Sequence, residues 1–227
     1  MLFIVATPIG NLKDITLRSL EVLQDCDGII CEDSRRTGLL LNHFSIKKPL
    51  IILNDFNENK TYLHIIERLI NGESLCLVSD AGTPLISDPG YKLVRECIAQ
   101  NIPVDSLPGP SSVITALTLS GLPPDKFMFL GYPPEKSGHR IKLFQNLLDR
   151  EHNENMKATY IIFISPHKLL RDLEDMKTVF GDIEISLAHE LTKIHQSVES
   201  KKISNWLETF NPPAGKPKGE YILLFRV

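Results

Sequence analysis

Between Ser79 and Gly90 the chain reads S-D-A-G-T-P-L-I-S-D-P-G, with two aspartates, two glycines and two prolines in twelve residues. That composition makes a tightly turned, stiff backbone carrying two carboxylates, and a plain connector has no need of so long a loop without secondary structure of its own. Three more stretches have the same polar, turn-rich character: Thr7-Pro-Ile-Gly-Asn11, Glu32-Asp-Ser-Arg-Arg36 and Pro108-Gly-Pro-Ser-Ser112. In the last, a helix starting near Ser111 and Ser112 offers unpaired N–H groups to a carboxylate or phosphate. The chemistry within reach is the binding of an anionic or zwitterionic small molecule.

Each of these stretches follows a short apolar run, and such runs read as strands. Leu2–Ala6, Ile29–Cys31, Leu50–Leu53, Leu75–Val78 and Pro103–Leu107 are the first five, and the unbroken Leu75–Val78 lacks the alternation of a half-exposed strand, which fits a parallel sheet covered on both faces. The intervening segments have helical spacing. Thr16 caps a helix with Leu17, Leu20 and Leu23 inward; Tyr62, Ile65, Ile66, Leu69 and Ile70 define a second buried face, stopped by Asn71-Gly72; Leu93, Val94, Cys97 and Ile98 define a third. Val113–Ser120 is apolar on nearly every side and reads as a buried helix. Alternating strands and helices give an α/β fold, and ligands of such sheets bind beyond the C-terminal ends of the strands, where the four polar stretches converge. After Gly121-Leu-Pro-Pro-Asp125 the pattern changes, which sets domains of 1–120 and 121–227. The second has strands at Phe127–Leu130, Thr159–Ile164, Ile183–Ala188 and Tyr221–Phe225, a hairpin arm within Ile194–Lys202, and a mobile loop at Asn211–Gly219.

Composition narrows the classes. The 227 residues carry a net charge of −3, which excludes a bulk electrostatic grip on nucleic acid. Residues 1–120 hold 10 Lys and Arg against 14 Asp and Glu, and the remainder 15 against 14. Any polyanion contact therefore leans on the second half, through Lys136, His139, Arg140 and Lys142 or Lys201 and Lys202. No run is long enough to span a membrane, the start has no basic leader, and the expected compartment is the cytoplasm. Cys26, Cys31, Cys76 and Cys97 form no C-x-x-C pair and read as reduced, mostly buried thiols; no histidine spacing suggests a metal. The P-loop, G-x-G-x-x-G and G-x-S-x-G patterns are all missing from the sequence.

The order of motifs resembles the ribosomal RNA small-subunit methyltransferase I family of the tetrapyrrole methylase superfamily. The matching text is A-T-P-I-G-N-L at Ala6–Leu12, C-E-D-S-R at Cys31–Arg35, the whole Ser79–Gly90 stretch, P-G-P-S-S at Pro108–Ser112, S-P-H at Ser165–His167, E-L-T-K at Glu190–Lys193 and K-G-E at Lys218–Glu220. The resemblance implies two α/β domains, the first with a mainly parallel and the second with a mixed sheet, S-adenosylmethionine in the cleft between them, and a homodimer. Carried over by motif, the cofactor meets Pro8, Ile9, Asp80, Gly82, Thr83, Ile86, Ser111 and Ser112, then Ile164 and Ala188 of the second domain. This chain departs from the family in having Ile164 where an acidic residue commonly precedes S-P-H. It also stops at Val227, where many members continue into a small helical extension.

The implied reaction is methylation of the ribose 2′-hydroxyl of a decoding-centre cytidine in small-subunit ribosomal RNA. Methyl transfer from a sulfonium needs in-line approach and exclusion of water, and a base or cation helps the weakly acidic hydroxyl. Asp33, Arg35 and Lys193 are the catalytic candidates, against an ion-pair network as the alternative role. Two other functions are to be separated from this one: methylation of another substrate such as a tetrapyrrole-like small molecule, and non-catalytic nucleotide binding on the same fold.

Overall fold

Leu2–Val5 (β1) and Leu75–Val78 (β4) are almost wholly aliphatic, and such strands are stable only where both faces are covered. The computed structural model describes residues 1–54, 57–154, 157–210 and 217–227 and places both strands inside a five-stranded parallel sheet. With Gly28–Cys31 (β2), Leu50–Ile52 (β3) and Val104–Leu107 (β5), the order is β3-β2-β4-β1-β5. Successive residues of β4 feed opposite cores. Leu75 and Leu77 pack with Ile65 and Leu69 of α3 (Glu58–Ile70) and with Leu93 and Cys97 of α4 (Tyr91–Ala99). Cys76 and Val78 pack with Leu23 of α1 (Leu17–Asp25) and Leu41 of α2 (Ser34–His43).

Local signals set the helix ends. The Thr16 hydroxyl accepts the N–H of Ser19 at 3.1 Å and starts α1, and Gly72, at φ +94, follows the end of α3. Helix α2, for which the sequence pattern gave no expectation, is capped by the Asp33 carboxylate, which accepts the Arg35 N–H at 2.9 Å. Leu17, Ile70 and Ile98, expected on buried faces, are exposed. Each lies in a terminal turn of its helix, past the reach of the sheet. All four cysteines are buried.

The chain divides into two compact units, Met1–Ser111 and Ser112–Val227. The helix α5 (Ser112–Leu119) groups with the second unit, whereas a boundary at Gly121 leaves it in the first. Within that unit α5 packs on the strand Tyr221–Phe225 (β10), and the Ser186 hydroxyl donates to the Ser120 carbonyl at 3.3 Å. Val113, Ala116 and Leu117 are buried, but Ile114 and Leu119 are not, so α5 is one-sided despite its uniform apolarity.

The second sheet has the order β6-β7-β10-β8-β9, formed by Phe127–Phe129, Thr159–Ile164, Tyr221–Phe225, Glu184–His189 and Ser197–Lys202. Only β6 and β7 run parallel, so the sheet is mixed. Its core face carries Tyr160, Ile162, Leu187, Leu223 and Phe225 against α6 (Ser137–Glu154), α7 (Leu169–Phe180) and α8 (Ile203–Thr209). Residues 211–216 of the loop expected to be mobile lie outside the described residues. Among the described residues no helix is long and apolar enough to cross a membrane.

One expected surface cation is not on the surface. Arg140 is 2% exposed and joins α6 to α7: its Nε lies 3.1 Å from Asp172 Oδ1, its guanidinium also pairs with Asp175, and it donates to the carbonyls of Pro134 at 2.9 Å and Glu135 at 3.1 Å. It is therefore a structural clamp and leaves the cluster proposed for polyanion contact. Burial pushes the Asp172 carboxyl up, and the Arg140 charge opposes that push. Lys201 is also engaged, 2.6 Å from Glu199 Oε2 and 4.4 Å over the Trp206 ring. Replacing Arg140 by alanine takes the buried guanidinium from two carboxylates of the α6–α7 interface and leaves Asp172 only Arg171, at 3.4 Å, and Asp175 the Ser137 hydroxyl, at 3.0 Å. Urea denaturation of Arg140→Ala should show a loss of about 3–5 kcal/mol, the cost of breaking a buried ion pair from one side.

Candidate functional site

The loop that leaves β4 folds back over the loop that leaves β1. Thr7 and Gly82 exchange main-chain hydrogen bonds, Thr7 N–H to Gly82 C=O at 2.9 Å and Gly82 N–H to Thr7 C=O at 3.0 Å. Two hydroxyls lock this closure: Thr7 Oγ1 donates to the Ser79 carbonyl and Ser79 Oγ to the Gly82 carbonyl, both at 3.1 Å. Gly82 sits at φ +87, a conformation that calls for glycine, and a Cβ there would lie 3.2 Å from Ile9 Cγ2 and press on it. Thr83 Oγ1 then donates to the Pro110 carbonyl at 3.0 Å, tying the β4 loop to the β5 loop. Gly109 allows that approach, since a Cβ on it would stand 2.8 Å from the Ala6 Cβ.

Further along the same loop, Leu85 and Ser87 hold left-handed backbone at φ 75 and 67, an uncommon conformation kept where the surroundings over-determine it. Ile86 between them is exposed. The loop ends at Gly90, whose N–H donates to the buried Glu58 carboxylate at 3.1 Å; Lys92 Nζ reaches the other oxygen at 3.1 Å.

Asp80 carries the link to β2. Its Oδ1 accepts the Asp33 N–H at 3.2 Å, and its Oδ2 lies 3.5 Å from Arg36 Nε. Asp33 in turn caps α2 and grips Arg35 with both oxygens, at 3.0 and 2.6 Å. The Arg35 side chain holds the Asp33 carboxyl down at about 2, too weakly basic to take a proton from an alcohol. Asp33 and Arg35 are thus brought together as an ion pair at a helix start. Asp88 was not singled out by residue type, although S-D-P repeats the S-D of the loop's start. Burial, then the charge of Glu32, lift its carboxyl to about 6 against the neighbouring Ser79 hydroxyl, with Asp80 adding to the lift.

In the first unit the structure therefore gathers Pro8, Asp33, Asp80, Gly82, Thr83 and Ser111 on loops at the C-terminal ends of β1, β2, β4 and β5, with Ile9 buried beneath them. In the second unit Ser112 opens α5, while Ile164 ends β7 and Ala188 lies in β8. Ile164 pairs with Tyr221 and Ala188 with Ile222, so their side chains point to opposite faces of the sheet. Lys193 Nζ donates to Glu190 Oε1 at 3.0 Å and Glu220 Oε2 at 2.9 Å. Burial disfavours its charge, but the two carboxylates outweigh that and raise its pKa, so it is a fixed ammonium. Glu190 and Thr192 take positive φ in the turn that presents it, and a Cβ on Gly219 would strike His189 Nε2 at 2.7 Å and Glu190 Oε1 at 2.8 Å. Among the described residues no group of three or more His, Cys, Asp or Glu is placed to hold a metal ion.

Loops of this kind on two α/β units define a class. The family model for tetrapyrrole (corrin/porphyrin) methylases matches residues 1–206. A ribosomal RNA small subunit methyltransferase I from Haemophilus influenzae is 44% identical over 225 residues, covering 99% of this chain and 77% of the relative. A protein of the same name from Thermotoga maritima is 44% identical over 219 residues, covering 96% of this chain and 95% of the relative. A crystal structure of diphthine synthase shares the fold at 16% identity, with a TM-score of 0.71 over 99% of this chain and 89% of that one. The chain belongs to the tetrapyrrole methylases and, within them, to the ribosomal RNA small subunit methyltransferase I family.

The raised Asp88 pKa fixes a pH dependence. The folded carboxyl binds its proton more tightly than the unfolded one, so its contribution is fully present below 3.8 and lost as pH rises through about 6. Asp88→Asn mimics the protonated form. At neutral pH it should be more stable than the parent by roughly 2 kcal/mol, a figure reduced for partial exposure, and urea midpoints taken from acid to neutral pH should lose this slope.

Proposed function

We propose that this protein methylates small-subunit ribosomal RNA, taking the methyl group from S-adenosylmethionine and placing it on the ribose 2′-hydroxyl of a decoding-centre cytidine. The observation that carries the reading is identity of 44% along 99% of the chain with a protein named for methylation of small-subunit ribosomal RNA, together with the loop closure that the shared motifs build.

The first unit suits the methyl donor. Gly82 leaves the space that a side chain would take, and Asp80 supplies a carboxylate on the same edge. When bound, S-adenosylmethionine supplies an electrophilic methyl on a positively charged sulfur. The chain's own residues position and desolvate. The Thr7–Gly82 and Thr83–Pro110 bonds fix the loop before any ligand arrives, so little ordering cost falls on binding. Asp33 orients α2 and Arg35, and its low basicity removes it as proton acceptor. A homodimer is part of the same proposal and rests on the family resemblance.

The test is to incubate the purified protein with isotopically labelled S-adenosylmethionine and small subunits from a strain lacking this gene. Label should enter one ribose oxygen of the subunit RNA, and mapping it to a base nitrogen or carbon would overturn the reaction assignment. Gly82→Val should weaken donor binding measured by calorimetry by at least about tenfold, since strain and steric conflict together exceed roughly 1.4 kcal/mol.

A further inference from the structure

The second sheet carries an aromatic cluster outside its core. Along β7, Tyr160, Ile162 and Ile164 pack in the core, so Ile161 and Phe163 between them face the other way. Phe129 of the edge strand β6 lies opposite Ile161 in the parallel register and shares that second face. Its ring meets Phe163 edge-on, with centroids 4.8 Å apart. The chain then turns at Gly131, at φ +67, whose carbonyl accepts the Phe163 N–H at 2.9 Å. That turn brings the Tyr132 ring to 5.4 Å from Phe163. Phe129 and Phe163 are half-buried, but Tyr132 is 63% exposed. A ring steadied by one neighbour and otherwise open is a surface for stacking, because it has little freedom left to lose on binding.

The charge that follows the ring in the chain decides what it stacks with. Pro133 and Pro134 stiffen the step from Tyr132 to Lys136, and Arg140 grips that step by the carbonyls of Pro134 and Glu135, which anchors it on the α6–α7 clamp. Four residues span about 14 Å at full extension, so Lys136 lies within that reach of Tyr132. The intervening carboxylate, Glu135, is already paired with Lys168. Lys136, His139 and Lys142 are exposed and, among the described residues, joined to no carboxylate, unlike Arg140, Lys168, Lys193 and Lys201. An apolar protein partner would cover the ring and leave these cations without counter-charge, whereas a nucleotide strand offers a π-face and phosphates together. We propose that Tyr132 is the seat on which an unpaired base of the substrate RNA stacks, with Lys136 and Lys142 holding the adjoining phosphates. The proposal rests on the RNA methyltransferase reading above and adds to it a point of contact in the second unit. Stacking uses the face of a base and not its edge, so the contact secures an unpaired strand without choosing its sequence.

Steady-state transfer to small subunits lacking the modification tests the ring, with every variant assayed below its melting midpoint. Tyr132→Phe keeps the ring and should keep the parent's KM for subunits. Tyr132→Leu keeps an apolar side chain without the ring and should raise that KM about tenfold, as should Tyr132→Ala. The dissociation constant of S-adenosylmethionine, read by calorimetry, should stay within about twofold in all three. Lys136→Gln should flatten the slope of log KM against log salt by about 0.7, the worth of one phosphate contact on a single strand. The parent's KM in Tyr132→Leu would overturn stacking, and an unchanged salt slope would overturn the phosphate contact. Parallel weakening of donor binding would assign the ring to the donor, and a changed mass by light scattering would assign it to a contact between copies; either overturns the proposal. If the parent itself transfers no methyl to subunits, the RNA reading falls and the ring's assignment with it, whereas an active parent with indifferent variants overturns the ring's role alone.

Discussion

The site of the first unit depends on one short piece of main-chain pairing, the two hydrogen bonds between Thr7 and Gly82. Parallel neighbours ordinarily send their loops away from the sheet independently. Here the outgoing loop of β4 is pinned on the outgoing turn of β1, and the other contacts follow. Gly82 must adopt left-handed backbone to make the pairing, Thr83 is delivered to the β5 loop, and Asp80 is turned toward the N-terminus of α2. Loops from β1, β2, β4 and β5 thus behave as one piece of structure held by uncharged hydrogen bonds and one carboxylate. Such a scaffold is insensitive to salt, because its bonds are short and partly buried.

Much of this was legible in the sequence. Unbroken apolar runs such as Leu75–Val78 gave the parallel sheet, because only a strand covered twice can dispense with polar residues. Thr16 gave the start of α1, and the clustering of glycine, proline and aspartate gave the loops. The failures have particular causes. Helix α2 was missed because its sequence, S-R-R-T-G-L-L-L-N-H, places a glycine and a run of leucines where a clean helical period would be sought. Ile70 and Ile98 obeyed the period but sat beyond the sheet. Asp33 and Arg35 are polar residues at a strand end, as expected of a site; that they neutralise each other two residues apart depends on rotamers, which sequence does not carry. The same holds for Asp88, whose basicity arises from burial and from Glu32, distant in the chain.

The charge distribution shifts meaning once partners are seen. Arg140 clamps two helices, Lys201 lies on a tryptophan, Lys168 pairs with Glu135 and Lys193 sits between two glutamates. Cations already committed to carboxylates release few counterions on meeting a phosphate backbone. Recognition of a folded RNA by such a protein has to come from shape and from individual base or sugar contacts.

The strand order of the first sheet also governs how the chain must be made. β1 precedes both its neighbours in the chain, Leu75–Val78 on one side and Val104–Leu107 on the other. Until those segments emerge, Leu2–Val5 is a bare aliphatic strand with two unpaired edges, the kind of segment that pairs with a wrong partner. The first half of the chain therefore has no closed sheet to adopt during most of its synthesis, and its completion is set by the slow, long-range insertion of an early strand between two late ones. For a nascent protein of this kind the hazardous interval is translation itself, and protection by a chaperone has its greatest effect on Leu2–Val5.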